Sequence, residues 1–94
     1  MEMIRLRTPQ GQEKKLAKLL VDAAHDVMGE PGLEEARVYT NASFHSDLAL
    51  SIAWDTDATQ RQGSRVGLSI AQTLSSYGLV EHSIWSEQGD WKKL

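Results

Sequence analysis

The sequence predicts an α+β domain in which four strands and two helices follow one another in the order βαββαβ. Three observations indicate this: apolar residues at every second position in four short segments, apolar residues at helical spacing in two longer ones, and turn-forming residues between them. The chain of 94 residues is long enough for one hydrophobic core and too short for two. We therefore expect a single domain over residues 1–94, in which residues 86–94 form a C-terminal tail.

The first strand and the first helix occupy the N-terminal third. Residues 2–7 alternate apolar and polar side chains, as a half-buried strand does. Thr8 and Pro9 are typical of a helix N-cap and first helical residue, and Gly29 is typical of a helix end. The helix between them is predicted by apolar residues at i, i+3, i+4 and i+7 spacing, namely Leu16, Leu19, Leu20, Ala23, Ala24, Val27 and Met28.

The rest of the chain is predicted to form two strands, a second helix and a last strand. Residues 33–41 and 47–54 alternate as two strands of a hairpin. Residues 57–60 have the D-x-x-Q spacing of a capping box, which predicts the start of the second helix. A fourth strand is predicted over residues 79–86, directly after Gly78.

Two glycines fall on the apolar face of the second predicted helix. Gly63 and Gly67 are one turn apart, and glycine inside a helix costs about 1 kcal/mol relative to alanine. Their presence therefore predicts that the backbone of this helix lies close to the sheet or to another element.

A βαββαβ chain folds most economically as a ferredoxin-like sandwich, an antiparallel sheet with both helices on one face, because right-handed crossovers return each helix to the same side. The other face would be bare and of mixed polarity. A second copy of the chain that covers it would enclose a space, so we predict a homodimer. The predicted bare face carries Met3, Arg5, Arg7, Arg37, Tyr39, Ala49, Ser51 and Ala53.

The composition disfavours several classes of function. With 10 basic and 13 acidic residues the net charge is −3, so we expect neither a nucleic-acid partner nor a membrane partner. The chain has no cysteine, and its three histidines lack metal-site spacing, so we expect no metal and no cofactor. No apolar run approaches the ~20 residues of a membrane span, and the N-terminal residues lack the apolar stretch of a signal peptide, which predicts a cytoplasmic protein.

Two segments resemble a known group of proteins. The runs SIAW (51–54) and GSRVGLSIAQTLSSYGLVEHSIW (63–85) are similar to the dimeric α/β-barrel superfamily, and most of all to its antibiotic biosynthesis monooxygenase branch. The resemblance implies that two ferredoxin-like subunits join their sheets into a barrel, and that a small organic molecule binds in a cavity on the concave side of each sheet. The superfamily includes cofactor-independent quinone-forming oxygenases, haem-degrading enzymes and lactone isomerases, so the fold alone does not fix the chemistry.

The same resemblance disfavours haem as a ligand. The haem-degrading branch has an asparagine on the first strand, where this chain has Arg5 and Arg7, and a histidine in or beside the second helix, where Tyr77 and Gly78 stand. The cofactor-independent oxygenases use Asn, Trp, Tyr and Arg groups in a buried pocket, and Tyr39, Trp54, Arg5 and Arg37 are residues of these kinds, although no spacing motif fixes their roles.

We predict that a compact aromatic or acidic molecule binds beside the bare face. Arg5 and Arg37 offer planar guanidinium groups to a carboxylate. Alternatively, the arginines are solvated or paired with carboxylates, above all with Glu81, which an antiparallel fourth strand would bring opposite Arg5 or Arg7. Aromatic side chains would form the apolar walls. The predicted substrate-binding residues are Arg5, Arg37, Tyr39, Ser51, Trp54, Glu81 and Trp85.

His82 is the predicted catalytic residue, provided that the register of the fourth strand turns its side chain toward the cavity. In one register His82 faces the helices and Glu81 faces the bare side; in the other, His82 enters the cavity near Arg5 and serves as a general base. Burial of Glu81 without a partner would cost more than burial of a neutral imidazole with one hydrogen bond, which favours the first register and a structural His82.

Two hypotheses follow. The first is a homodimeric, cofactor-independent, monooxygenase-like enzyme, and the second is a non-catalytic ligand-binding or purely structural dimer.

Overall fold

The structure has the predicted order of strands and helices. The computed structural model describes residues 1–55, 63–87 and 89. The elements are β1 (Glu2–Arg7), α1 (Glu13–Asp26), β2 (Leu33–Thr40), β3 (Asp47–Trp54), α2 (Arg65–Leu74) and β4 (Leu79–Ile84). All four predicted strands are present, and their bounds differ from the predicted ones by at most two residues.

The four strands form one antiparallel sheet in the order β2-β3-β1-β4. β1 lies in the interior of the sheet, with β3 on one side and β4 on the other. Because α1 and α2 both contribute to a core on the same side of this sheet, the predicted ferredoxin-like sandwich is confirmed.

The core lies between the sheet and the helices. Leu16 and Leu20 of α1 and Leu74 of α2 pack against the alternate side chains of the central strands, and all of them are almost fully buried. Burial of one such side chain stabilises the fold by about 1.5–3 kcal/mol. The strand residues of this core are Ile4, Leu6, Leu48, Leu50 and Ile52.

The other side chains of the strands point away from the helices, and we call this side the open face. The register of the sheet places all eight residues of the predicted bare face on it. The open face consists of Met3, Arg5, Arg7, Glu35, Arg37, Tyr39, Asp47, Ala49, Ser51, Ala53, Leu79, Glu81 and Ser83, with Trp85 just beyond β4.

The predicted start of the first helix is wrong. α1 begins at Glu13 with Gln12 as its N-cap, rather than at Thr8 and Pro9. The main-chain N–H of Gln12 bonds the carbonyl of Pro9, and the first helical bond runs from Leu16 to Gln12. The proline therefore sits in a turn that precedes the helix, a position that its fixed φ and missing N–H also suit.

The second helix differs in a similar way. α2 begins at Arg65, and Ser64 is its N-cap, because the hydroxyl of Ser64 accepts a hydrogen bond from the N–H of Gly67 at 2.9 Å. Gly63 precedes the cap with φ of +92°, so its predicted place inside the helix is wrong. The predicted capping box at residues 57–60 lies outside the described residues.

The predicted close approach of this segment to the sheet is confirmed. A Cβ atom on Gly67 would lie 2.2 Å from a carboxylate oxygen of Glu2, and one on Gly63 would lie 2.4 Å from the ring of His82. Only glycine leaves room for these two side chains under the start of α2.

Within the described residues, no helix is long and apolar enough to cross a membrane. Most of the predicted C-terminal tail, including Trp91, lies outside the described residues.

Candidate functional site

The arginines of the open face are paired with carboxylates. Nη2 of Arg5 donates to Oδ2 of Asp47 at 3.0 Å, and its Nη1 lies 3.6 Å from Oε2 of Glu81. Arg7 lies 3.9 Å from the same oxygen of Asp47. The hydrogen bond and the charge of Asp47 raise the pKa of Arg5, so this guanidinium remains charged. Two arginines and two carboxylates thus neutralise one another.

The predicted alignment of Glu81 with Arg5 is confirmed, since the two residues are cross-strand partners. The structure also reveals Asp47, which sequence reasoning did not select. Asp47 is almost fully buried at the start of β3 and supplies the shorter of the two contacts to Arg5. The arrangement matches the alternative in which the arginines pair with carboxylates, since Arg5 contacts Glu81 as well as Asp47.

Arg37 and Tyr39 lie further along the open face, on the edge strand β2. The Nε of Arg37 donates to Glu35 two residues before it, and this hydrogen bond raises the pKa of Arg37. Ser51 is the cross-strand partner of Arg37 and is nearly buried, whereas Tyr39 is exposed.

Trp85 lies beside the same face. Its Nε1 donates to the hydroxyl of Ser83 at 2.9 Å, and 58% of the residue is exposed. Six of the seven predicted substrate-binding residues therefore share the open face.

Trp54 and His82 lie on the opposite side of the sheet, beneath the start of α2. His82 is the cross-strand partner of Ile4, whose side chain belongs to the core. The structure thus has the register in which His82 faces the helices, and the condition for placing it beside Arg5 is not met. The site that it does occupy is built around a residue that the sequence analysis did not select, Glu2.

Glu2 is the centre of a buried polar cluster. Its carboxylate accepts hydrogen bonds from Nε1 of Trp54 at 2.6 Å and from the main-chain N–H of Ser64 at 2.9 Å. Nε2 of His82 lies 2.9 Å from the same oxygen that Ser64 contacts. Glu2 is only 3% exposed, and the four residues, which we call the Glu2 cluster, join β1, β3, β4 and α2.

The hydrogen bonds outweigh the cost of burying a charge. Burial of Glu2 opposes its ionisation, but the hydrogen bonds from Ser64, Trp54 and His82 hold the pKa of this carboxyl below its ordinary value. Glu2 is therefore ionised at neutral pH.

The ionised carboxylate of Glu2 determines which ring nitrogen of His82 carries the hydrogen. Because a carboxylate can only accept, Nε2 of His82 carries the hydrogen and donates it to Glu2. In the neutral ring, Nδ1 then holds the free lone pair. Nδ1 is therefore the ring atom that can accept a hydrogen bond or a proton from another molecule, while Glu2 orients the ring, as the carboxylate does in a catalytic triad.

The sequence contained one signal for Glu2. It lies two residues before Ile4 and four before Leu6, so the same alternation that predicts β1 places Glu2 on the buried face. A carboxylate at that position requires donors, and the only way to identify them is to know which strands flank β1.

Among the described residues, no group of three or more His, Asp or Glu side chains lies close enough together to hold a metal ion.

Comparisons with known proteins identify the class of fold. No protein-family model matches the sequence, and neither does any curated protein. Solved structures match it over nearly its whole length, and several of them are antibiotic biosynthesis monooxygenase-like proteins, so the predicted likeness to that branch is confirmed for the fold.

Three of these structures illustrate the match. A variant of SnoaB, a cofactor-independent oxygenase from Streptomyces nogalater, is 13% identical, with 96% of this chain and 94% of that one covered and a TM-score of 0.70. Rv0793 from Mycobacterium tuberculosis is 16% identical, with coverage of 96% and 95% and a TM-score of 0.69. A candidate antibiotic biosynthesis monooxygenase from Deinococcus radiodurans is 14% identical, with coverage of 95% and 92% and a TM-score of 0.67. Identities this low show a shared fold.

Proposed function

We propose that this protein is a homodimeric α/β-barrel enzyme that oxidises a compact phenolic molecule with dioxygen and without a cofactor. The shared fold with a cofactor-independent oxygenase supports the class of reaction. The observation that carries the proposal is the hydrogen bond of 2.9 Å between His82 and the buried carboxylate of Glu2.

The first step of the proposed reaction is removal of the phenolic proton, which requires a base. Loss of the phenolic proton makes the ring electron-rich enough to react with dioxygen, and Nδ1 of His82 accepts that proton while Glu2 holds the ring. One oxygen atom of O2 becomes a new carbonyl on the ring. The other leaves as water with the ring hydrogen and the phenolic proton, so that the product is a quinone and the substrate supplies all four electrons.

The two faces of the sheet then have different roles. The substrate of this proposal lies on the helix side of the sheet, beside Trp54 and against the ring of His82, whose side chain is 13% exposed. The six other predicted binding residues face the interior of the barrel that two copies enclose and do not contact this substrate.

The test is oxygen consumption with a panel of fused-ring phenols such as 1-naphthol. We expect uptake of one O2 per quinone formed, with one atom of ¹⁸O2 in the product. His82→Gln should slow the reaction at least about 100-fold, since general base catalysis typically contributes that much or more. His25→Gln, which changes an exposed histidine of α1, is the matched control and should keep the full rate.

Uptake no faster than in buffer across the panel would contradict the oxygenase and favour the non-catalytic dimer. Full activity in a folded His82→Gln protein would instead remove the base while leaving the oxygenase in place. Circular dichroism of each variant shows whether its fold is intact.

A further inference from the structure

A second place in the molecule has the geometry of a ligand site, and it lies far from the Glu2 cluster. A surface cleft of about 380 Å³ opens between the first half of α1 and the end of the β2–β3 hairpin. Pockets of this size hold small organic molecules. The cleft is lined by Glu13, Lys14, Ala17, Thr40, Asn41, Ala42, His45 and Leu48.

The cleft and the Glu2 cluster are at opposite ends of the sheet. Leu48 of β3 pairs with Leu6 of β1. Glu2 lies four residues before Leu6 on β1. At about 3.3 Å per residue, the two places are about 13 Å apart along β1. A compact molecule cannot contact both.

The floor of the cleft is apolar. Ala17 is half-buried and gives a small hydrophobic surface for a ring or a short chain, and Leu48, which is almost fully buried, lies beneath it. Burial of that surface favours an occupant with an apolar body.

The rim of the cleft consists mainly of hydrogen-bond donors. Within the described part of the chain, neither Lys14 nor His45 has an ion-pair or hydrogen-bond partner. The side-chain oxygen of Asn41 accepts from the N–H groups of Ser43 and Phe44, which leaves its NH2 group to donate.

The rim also carries one acid, Glu13. Oε2 of Glu13 accepts a hydrogen bond from the N–H of Gly11 at 3.0 Å. An occupant therefore meets the ammonium of Lys14, the imidazole of His45 and the amide of Asn41, and it also lies near the carboxylate of Glu13.

We propose that this cleft binds a compact organic anion, a carboxylate attached to an apolar body. The carboxylate accepts from Lys14, His45 and the NH2 group of Asn41, and the apolar body rests on Ala17. The site is separate from the proposed oxygenase chemistry and does not depend on it.

The experiment uses benzoate as the probe and benzamide as its uncharged analogue. Titration of ¹⁵N-labelled protein, followed by amide chemical shifts, should move the signals of Ala17, Thr40, Asn41 and His45, and benzamide should bind more weakly. Lys14→Gln and His45→Gln should each weaken benzoate binding about tenfold, the usual value of a hydrogen bond to a charged group, and leave benzamide unchanged. Lys15→Gln, the same change on an adjacent exposed residue, should have no effect on benzoate.

Three results would overturn the proposal. They are the absence of shifts at tens of millimolar benzoate, shifts confined to the Glu2 cluster or the open face, and equal binding of benzoate and benzamide. Shifts in the cleft without any oxygen uptake would support this site and contradict only the proposed oxygenase.

Discussion

Among the described residues, Glu2 has the side chain that accepts the most hydrogen bonds, namely three. Its carboxylate accepts from donors on β3, β4 and the start of α2, and burial removes the water that would replace any of them. Glu2→Gln puts an NH2 group where one of the oxygens accepts, so at least one donor loses its partner. We expect a loss of about 1–3 kcal/mol in the free energy of unfolding, measured by urea denaturation.

Glu34→Gln is the control for this experiment, because Glu34 is exposed on β2. It should change stability by less than about 0.5 kcal/mol. Equal effects of the two substitutions would mean that the carboxylate of Glu2 contributes nothing beyond an exposed one.

The ionisation of Glu2 gives a pH dependence with a definite sign. The folded protein lowers the pKa of this carboxyl below its ordinary value of 4.5, so the unfolded chain binds the proton more tightly. The stability that Glu2 contributes is therefore complete above pH 4.5 and is lost as the pH falls through the lower, folded value.

Urea denaturation at several pH values between 7 and 3 measures this contribution as the difference between the wild type and Glu2→Gln. We expect the difference to be constant near neutrality and to shrink in acid. A difference that stays constant down to pH 3 would show that ionised Glu2 is not the species that the fold stabilises.

At the level of the elements, the strands were predictable and the helix starts were not. Alternation in β1 and β3 is strict because one face of each packs on the core, and a shift by one residue would expose Ile4 and Leu50. The favoured register of β4 was predictable as well, since the alternative buried Glu81. Helix starts depend on local turns, and the turn that Pro9 forms before α1 competes with the cap that Thr8 suggests.

The candidate site was only partly predictable, for a related reason. The open face follows from the period of each strand alone, so its arginines and Glu81 could be placed without a structure. The Glu2 cluster needs four elements to be positioned together. His82 and Trp54 were selected by residue type, but the carboxylate that joins them appears only when β1 is known to lie between β3 and β4.

Gly67 of α2 lies close to the side chain of Glu2 on β1. A methyl group on Gly67 would collide with the carboxylate of Glu2, which its hydrogen bonds hold in place. Gly67→Ala should therefore destabilise the protein by about 1–3 kcal/mol, even though alanine favours a helix by about 1 kcal/mol over glycine. Thermal unfolding followed by circular dichroism measures the net effect.

Gly29→Ala serves as the matched control. No atom lies within 4 Å of a Cβ built there, and its φ is not positive. This substitution should leave the melting temperature unchanged or slightly raised. A melting temperature that also stays unchanged in Gly67→Ala would contradict the close approach of α2 to the sheet.

For the whole molecule, the open face is the surface on which a single chain leaves large apolar side chains uncovered. Tyr39, Leu79 and Trp85 expose large apolar surfaces on it, and Leu79 is 75% exposed. The paired charges around Arg5 need no further partner, so another sheet can cover them without leaving a net charge between the two. A domain of this size gains stability from such a cover, because alone it buries a smaller share of its surface than a larger domain does.

Sedimentation equilibrium at micromolar concentration tests most directly whether two copies close on this face. We expect a species of about twice the chain mass of 10.5 kDa for the wild type and for Met28→Asp, which changes an exposed apolar residue away from the open face. Leu79→Asp should remain folded and sediment as a single chain. A wild-type protein that sediments at 10.5 kDa, or a Leu79→Asp protein that stays dimeric, would contradict the closure of the barrel through the open face.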